Sequence, residues 1–289
     1  MLAVEGNHLT VDVPIKDIPQ NVLDEVCSQL KNYSVPIFGL SPNKPDPQLS
    51  LIGSGTLVEI EGKHSILTAA HVWHGTRSVE EVGLTLTDYP SYSFVRIPRA
   101  GIRVRCLWNE YDSDWGPDLA LLELPSPLVA TIAAHKSFVN LPQQRVMLAS
   151  RIPNIEKGLW VVIGMVDELS SICFSEQEQI TKAAVHGRAF FSLVQKSYQR
   201  NGYDFLDLSA RMDLPDVPSS FGGISGEGLW EVGLSMGESG ELCWDGNRHL
   251  RGVEFGQTKV SGGCRMIRCH GPQSIFAKAW EEWTLPECK

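Results

Sequence analysis

Three residues that stand far apart in this chain are, by type, the parts of an activated nucleophile. They are His71, Asp118 and Ser225. Serine is a weak nucleophile as a neutral alcohol, so a neighbouring imidazole must accept its proton during attack. A carboxylate must then orient the imidazole and stabilise the positive charge that it gains. If the fold brings the three side chains together, they predict acyl-transfer chemistry.

The residues around each of the three support this interpretation. The stretches are, in chain order, Thr68-Ala69-Ala70-His71, Asp118-Leu119-Ala120-Leu121-Leu122 and Gly222-Gly223-Ile224-Ser225-Gly226. A Gly53-Ser54-Gly55 segment precedes the first of them. The apolar run after Asp118 predicts a strand with the carboxylate at its start, which Asp112 and Asp114 lack. The glycines around Ser225 allow the sharp bend that aims backbone N–H groups at one point.

These motifs resemble those of trypsin-like (chymotrypsin-fold) serine peptidases, in particular the compact bacterial members. The order His, Asp, Ser is typical of that fold, whereas subtilisin-like enzymes place Asp first and α/β-hydrolases place Ser first. An α/β-hydrolase would also need glycine where Glu227 stands. The resemblance covers residues 35 to 280.

The resemblance implies an all-β chain with two six-stranded antiparallel β-barrels, an N-terminal helix and a C-terminal helix. The expected boundaries are 1–34 for the helical extension, 35–130 and 131–270 for the barrels, and 271–289 for the last helix. Apolar residues at helical spacing support the two helices at 17–31 and 272–283. Residues 145–150 are expected to form a strand. Residues 186–204 are expected to be a lid or a partner-binding insertion, or ordinary core.

The resemblance also assigns the site. His71 is the general base, Asp118 orients it, Ser225 attacks, and the backbone N–H groups of Gly223 and Ser225 form the oxyanion hole. The pocket for the residue before the scissile bond is expected to contain Ser219, Ser220, Phe221, Glu254 and Gly256.

Two residues depart from the family pattern. Ile224 stands where secreted members carry an aspartate that pairs with a newly cut N-terminal amine, so activation by N-terminal trimming is not expected. Glu254 lies in an apolar strand, and a carboxylate in the pocket would receive Arg or Lys. The alternatives are that Glu254 pairs with Arg251 or faces solvent.

Metal sites are the weaker interpretation of two other clusters. One is His64, His71 and His74, and the other is Cys264, Cys269 and His270. Zinc ligands usually come from several elements with cysteine or carboxylate partners, so structural roles are favoured for both clusters and no cofactor is expected.

The composition of the chain excludes some classes of partner and indicates its location. The net charge is −9 without a basic block, which argues against nucleic acid. No window is long and apolar enough to span a membrane, and the first residues do not resemble a secretory signal. Seven scattered cysteines follow no disulfide framework, so free thiols and a cytoplasmic location are expected.

The sequence therefore predicts a serine endopeptidase that acts on protein or peptide substrates, with a preference for basic residues expected from Glu254. The alternative is a binding module of the same fold, silent or switched on by an activating protein partner, in a bacterial stress or immune system.

Overall fold

The structure is a computed structural model that describes residues 15–41, 48–87, 93–108, 116–150, 159–175, 180–184, 187–214, 217–237 and 240–285. Asp112 and Asp114, the two aspartates near Asp118 in the sequence, lie outside these residues. Most of the described chain is β-structure, as the sequence predicted, and it is arranged in two large sheets and one two-stranded hairpin.

The first sheet has eight strands. They are β1 (Ser34–Ser41), β2 (Gln48–Ile60), β3 (Lys63–Thr68), β4 (Glu81–Thr87), β5 (Ser93–Pro98), β6 (Arg103–Trp108), β7 (Asp118–Glu123) and β8 (Val139–Asn140). The order is β5-β4-β1-β2-β3-β7-β6, with the short β8 pairing parallel to β2 and all other pairs antiparallel. The turn between β2 and β3 is the expected hairpin, with Glu61 and Gly62 at positive φ.

The second sheet has seven strands in the order β12-β9-β15-β16-β17-β14-β13, all antiparallel. They are β9 (Leu159–Met165), β12 (Gly187–Ser192), β13 (Val194–Arg200), β14 (Tyr203–Arg211), β15 (Gly228–Met236), β16 (Leu242–Gln257) and β17 (Cys264–His270). The hairpin β10 (Ser171–Ser175) and β11 (Ile180–Ala184) is separate. The antiparallel architecture is thus confirmed, but the sheets have eight and seven strands, and no pairing among the described strands closes either into a barrel.

One local prediction was wrong, because residues 145–150 are not a strand but part of helix α4 (Leu141–Ser150). For residues 186–204 the sequence left a lid, a partner-binding insertion and ordinary core open; residues 187–204 contain β12 and β13, the two edge strands of the second sheet, and are part of that sheet. The predicted terminal helices are present as α1 (Gln20–Leu30) and as a π-helical turn, Ser274–Ala279, that continues into α5 (Trp280–Thr284). The short helices α2 (Ala70–Gly75) and α3 (Ser126–Ala133) belong to the first half of the chain.

The main apolar core lies between the two sheets. It joins side chains of the first sheet, such as Leu67 and Leu119, to side chains of the second, such as Val161 and Val253. Both terminal helices bury their apolar faces in the same cluster. Each sheet also packs a further cluster of its own. Because burial of apolar surface is the main stabilising force, this shared core fixes the sheets against each other.

Five cysteines carry free thiols, namely Cys27, Cys106, Cys243, Cys264 and Cys269.

Candidate functional site

His71 and Asp118 are brought together by neighbouring strands of the first sheet. Helix α2 (Ala70–Gly75) begins directly after β3, so His71 lies in its first turn. Asp118 is the first residue of β7, which pairs antiparallel with β3. The end of β3 and the start of β7 are therefore adjacent, which places the aspartate beside the beginning of α2.

Asp118 holds His71 with both carboxylate oxygens. Oδ2 lies 2.6 Å from Nδ1 of the imidazole, and Oδ1 accepts a hydrogen bond of 2.9 Å from the backbone N–H of His71. The Asp118 side chain is 3 % exposed and that of His71 is 38 % exposed. This arrangement places the proton of a neutral His71 on Nδ1 and leaves Nε2 as the basic nitrogen.

A second histidine, His270, bonds the backbone of Asp118. Its Nε2 accepts a hydrogen bond of 3.1 Å from the backbone N–H of Asp118. The His270 ring is fully buried and stacks on Phe255 with ring centroids 4.4 Å apart. Burial lowers the pKa of His270 to about 4, although the charge of Asp118 acts in the opposite direction. His270 is thus neutral at physiological pH, the form in which a ring nitrogen can accept this bond.

The serine loop is bonded to strand β2 of the first sheet. The carbonyl of Ser225 accepts a hydrogen bond of 2.8 Å from the N–H of Ser54. Ser54 Oγ donates to the carbonyl of Gly223 at 2.6 Å. Both bonds join strand β2 to the loop that leads into strand β15 of the second sheet, and Ser54 belongs to the Gly-Ser-Gly segment that the sequence singled out.

Glycines at the contact allow the loop to lie this close. Gly226 has φ +96°, and a Cβ there would lie 2.0 Å from Thr68 Oγ1 and 2.1 Å from the Ser54 carbonyl oxygen. A Cβ on Gly53 would lie 2.6 Å from the Val72 side chain and 2.9 Å from the Ser225 carbonyl oxygen. Val72 follows His71 directly, so the serine loop contacts the first turn of helix α2.

The two expected oxyanion donors lie in anchored peptide groups. The carbonyl of Gly222 accepts a hydrogen bond of 2.8 Å from Asp167 N–H, and the carbonyl of Ile224 accepts one of 3.0 Å from Glu227 N–H. In a trans peptide the N–H points opposite to the carbonyl, so these bonds also orient the N–H groups of Gly223 and Ser225. Neither N–H donates to another residue of the described chain.

Ile224 is completely buried in the core of the second sheet, beside the backbone of Gly164. Apolar packing therefore holds this residue of the serine loop in place.

The Ser225 hydroxyl is not hydrogen-bonded to His71 in this structure, as far as the described residues show. It lies instead near the carboxyl group of Glu254, whose charged form it stabilises. The structure thus joins His71 to Asp118 directly, whereas it brings Ser225 to the same region through its backbone.

Glu254 is buried. It is 1 % exposed, and Oε2 has no hydrogen-bond partner in the described part of the chain. Burial raises its pKa well above the ordinary value; the Ser225 hydrogen bond opposes this effect, and the charge of Asp118 reinforces it. Glu254 is not paired with Arg251, whose guanidinium bonds Glu231. The Glu254 carboxyl is therefore not open to solvent in this conformation.

The other expected pocket residues have different surroundings. Phe221 is 1 % exposed and packs edge-to-face on Phe190 in the core. Ser219 is held at the surface by Glu168, which accepts from its N–H at 2.8 Å and from Oγ at 2.5 Å. Ser220 N–H also donates to Glu168. Beside Gly256 a Cβ would meet nothing within 4 Å, so this position borders open space.

The sequence alone did not predict that Arg265 lies beside Ser219. One of its terminal nitrogens donates to the Ser219 carbonyl at 2.7 Å and to Gln257 Oε1 at 2.8 Å. It also did not identify His270 as the partner of Asp118. The only signal for His270 was its weak metal motif, because partners 152 residues apart in the chain leave no local pattern.

Neither histidine cluster forms a metal site. The described residues contain no group of three or more His, Cys, Asp or Glu side chains that could hold a metal ion. His64 packs edge-to-face on Phe138, and His74 lies against Trp108.

The comparisons with known proteins add no relative. A scan against protein-family models gives no match, and a search of curated proteins finds no similar sequence.

Among the helices of the described residues, none has the length and apolar character needed to cross a bilayer.

Proposed function

We propose that this protein is a serine endopeptidase with a trypsin-like arrangement, in which each large sheet corresponds to one of the two barrels of that fold. The observation that carries the proposal is the two-point contact of Asp118 with His71. A buried carboxylate that fixes both the ring nitrogen and the backbone of one histidine has the form expected of the partner of a general base.

The chemistry follows from these positions. Ser225 Oγ attacks the scissile carbonyl carbon while its proton passes to Nε2 of His71. The oxygen of the tetrahedral intermediate is received by the N–H groups of Gly223 and Ser225. The C–N bond then breaks, and His71 returns the proton to the leaving amine. Water repeats the sequence on the acyl-enzyme and releases the acid. No cofactor takes part.

The test is covalent labelling by a fluorophosphonate, in which the Ser225 oxygen binds phosphorus and fluoride leaves. We expect one label per chain at Ser225, and loss of both labelling and peptide cleavage in Ser225→Ala. Ser261→Ala is the matched control, because Ser261 is an exposed serine in a turn outside the serine loop. The Ser261→Ala variant should be labelled like the unmodified protein. Cleavage that survives in Ser225→Ala would overturn the proposal.

One observation favours the second candidate, a module that is silent until a partner binds. Ser225 lies beside Glu254 and is not bonded to His71 in the described structure. A chain in this state would resist fluorophosphonate alone and react only when a protein partner is added. An inactive chain that becomes active when one defined N-terminal bond is cut would instead contradict the argument from Ile224.

A further inference from the structure

Glu254 is attached to the serine loop on both sides. Its carbonyl accepts a hydrogen bond of 2.8 Å from Gly226 N–H, and its N–H donates at 2.8 Å to the carbonyl of Glu227. These are the two residues that follow Ser225. The backbone of β16 therefore fixes Glu254 against the nucleophile, and a shift of either would break these bonds.

The side chain of Glu254 points into the same place. It is 1 % exposed, and it lies close enough to the Ser225 hydroxyl and to the Gly256 backbone for both to stabilise its charged form. Oε2 has no partner among the described residues. A buried carboxyl oxygen without a partner is unfavourable, so its retention beside a reactive serine calls for a role.

We propose that Glu254 is a positioning residue for Ser225, whose carboxyl group competes with His71 for the serine hydroxyl. This inference rests on the proposed function. Two acceptors, the Glu254 carboxyl and His71 Nε2, are available for one O–H, and only the bond to His71 activates the oxygen. The strength of Glu254 as an acceptor therefore sets how much of the enzyme holds Ser225 ready for attack.

The surroundings of Glu254 favour its neutral form, because they raise its pKa. The titratable groups that face it are Asp118 from β7, Glu227 from the serine loop and the Cys269 thiol from β17. Burial is the largest effect, and Asp118 and Glu227 both raise its pKa further when they are ionised. A neutral carboxyl is a weaker acceptor than a carboxylate, whose hydrogen bonds are roughly twice as strong. Protonated Glu254 thus releases Ser225 to His71, and ionised Glu254 retains it.

The first test compares the pH dependence of Ser225 labelling, corrected for hydrolysis of the fluorophosphonate, in the unmodified protein and in Glu254→Gln. We expect labelling of the unmodified protein to fall at least about tenfold as Glu254 ionises, and Glu254→Gln to hold its plateau, because an amide does not ionise. Glu227→Gln, which removes an equally buried acid, should keep the alkaline fall. Equal profiles for Glu254→Gln and the unmodified protein would overturn the inference.

The second test does not depend on activity. The pKa of Glu254 is followed by NMR of glutamate labelled with ¹³C at the carboxyl carbon, with the resonance assigned by its loss in Glu254→Gln. Ser225→Ala removes a hydrogen bond that stabilises the carboxylate, so the pKa of Glu254 should rise, and Ser261→Ala should leave it unchanged. An unchanged pKa in Ser225→Ala would refute the contact. Absence of labelling at every pH, with the NMR shift present, would instead refute the proposed peptidase and leave the contact standing.

Discussion

The backbone N–H of Asp118 donates a hydrogen bond of 3.1 Å to Nε2 of His270, 152 residues later in the chain. Asp118 therefore lies between two histidines that bond different parts of it. His270, from the second sheet, accepts from its backbone N–H, and His71 is bonded to both of its carboxylate oxygens. The orientation of the carboxylate is set by bonds that already exist without substrate.

Asp118→Asn should lower turnover by about 10⁴, because an amide in this position stabilises the wrong tautomer of His71 and cannot stabilise the imidazolium. Fluorophosphonate labelling should slow in parallel, while the thermal midpoint changes little. Asp24→Asn, at an exposed helix position, is the control and should behave like the unmodified protein. A labelling rate within tenfold of the unmodified protein would show that Asp118 does not orient the base.

His270→Gln should remove a loss of stability at acid pH. The pKa of His270 is lowered from 6.5 to about 4 in the folded state, so the unfolded chain binds a proton first as the pH falls. The folded state of the unmodified protein should lose up to about 3 kcal/mol from this group between those two values, and no more below them. The difference in unfolding free energy between the two proteins, measured with urea at each pH, isolates this contribution.

The matched control for that comparison is His135→Gln, because His135 is exposed. Its difference from the unmodified protein should not vary over the same pH range. A flat difference for His270→Gln would mean that His270 is accessible to protons in the folded protein and does not accept the Asp118 bond.

Gly226→Ala should prevent the serine loop from reaching the first sheet. The added Cβ would overlap Thr68 Oγ1 and the Ser54 carbonyl, and φ is +96°. Gly246→Ala is matched in backbone conformation, with φ +82°, but has no neighbour within 4 Å. The control should cost about 1–2 kcal/mol of unfolding free energy, whereas Gly226→Ala should cost more and abolish labelling. Equal losses in the two variants would show that the contact with Thr68 can relax freely.

Cleavage of a peptide library should show the same preference between basic and neutral residues before the scissile bond in Glu254→Gln as in the unmodified protein. The reason is that Glu254 is 1 % exposed and lies against Ser225 rather than in an open pocket. If the unmodified protein prefers Arg or Lys and the variant loses that preference, Glu254 faces the substrate and the original expectation from the sequence is right.

The sequence predicted the parts of the site that depend on local order. The strand that begins at Asp118 follows from the apolar run after that residue. The contact between His71 and Asp118 then follows from the pairing of β3 with β7.

The sequence failed where one pattern fits two structures. The apolar run in residues 146–149 suits a strand or a helix, and its neighbours Leu141 and Gln143, with Pro142 in the first turn, favour the helix that forms. Glu254 shows the same limit for a site. A carboxylate in an apolar strand signals a special environment, but the direction of the side chain depends on the bonds of its backbone to Gly226 and Glu227.

The bond from Ser54 to the Ser225 carbonyl places the proposed nucleophile at the junction between the two sheets. The proposed base His71 and its partner Asp118 lie with the first sheet, whereas the peptides proposed for the oxyanion hole are bonded on the side of the second. A small rotation of one sheet against the other would misalign these groups without unfolding either sheet. A molecule that binds both sheets, however far from Ser225, would therefore change the reactivity of the serine.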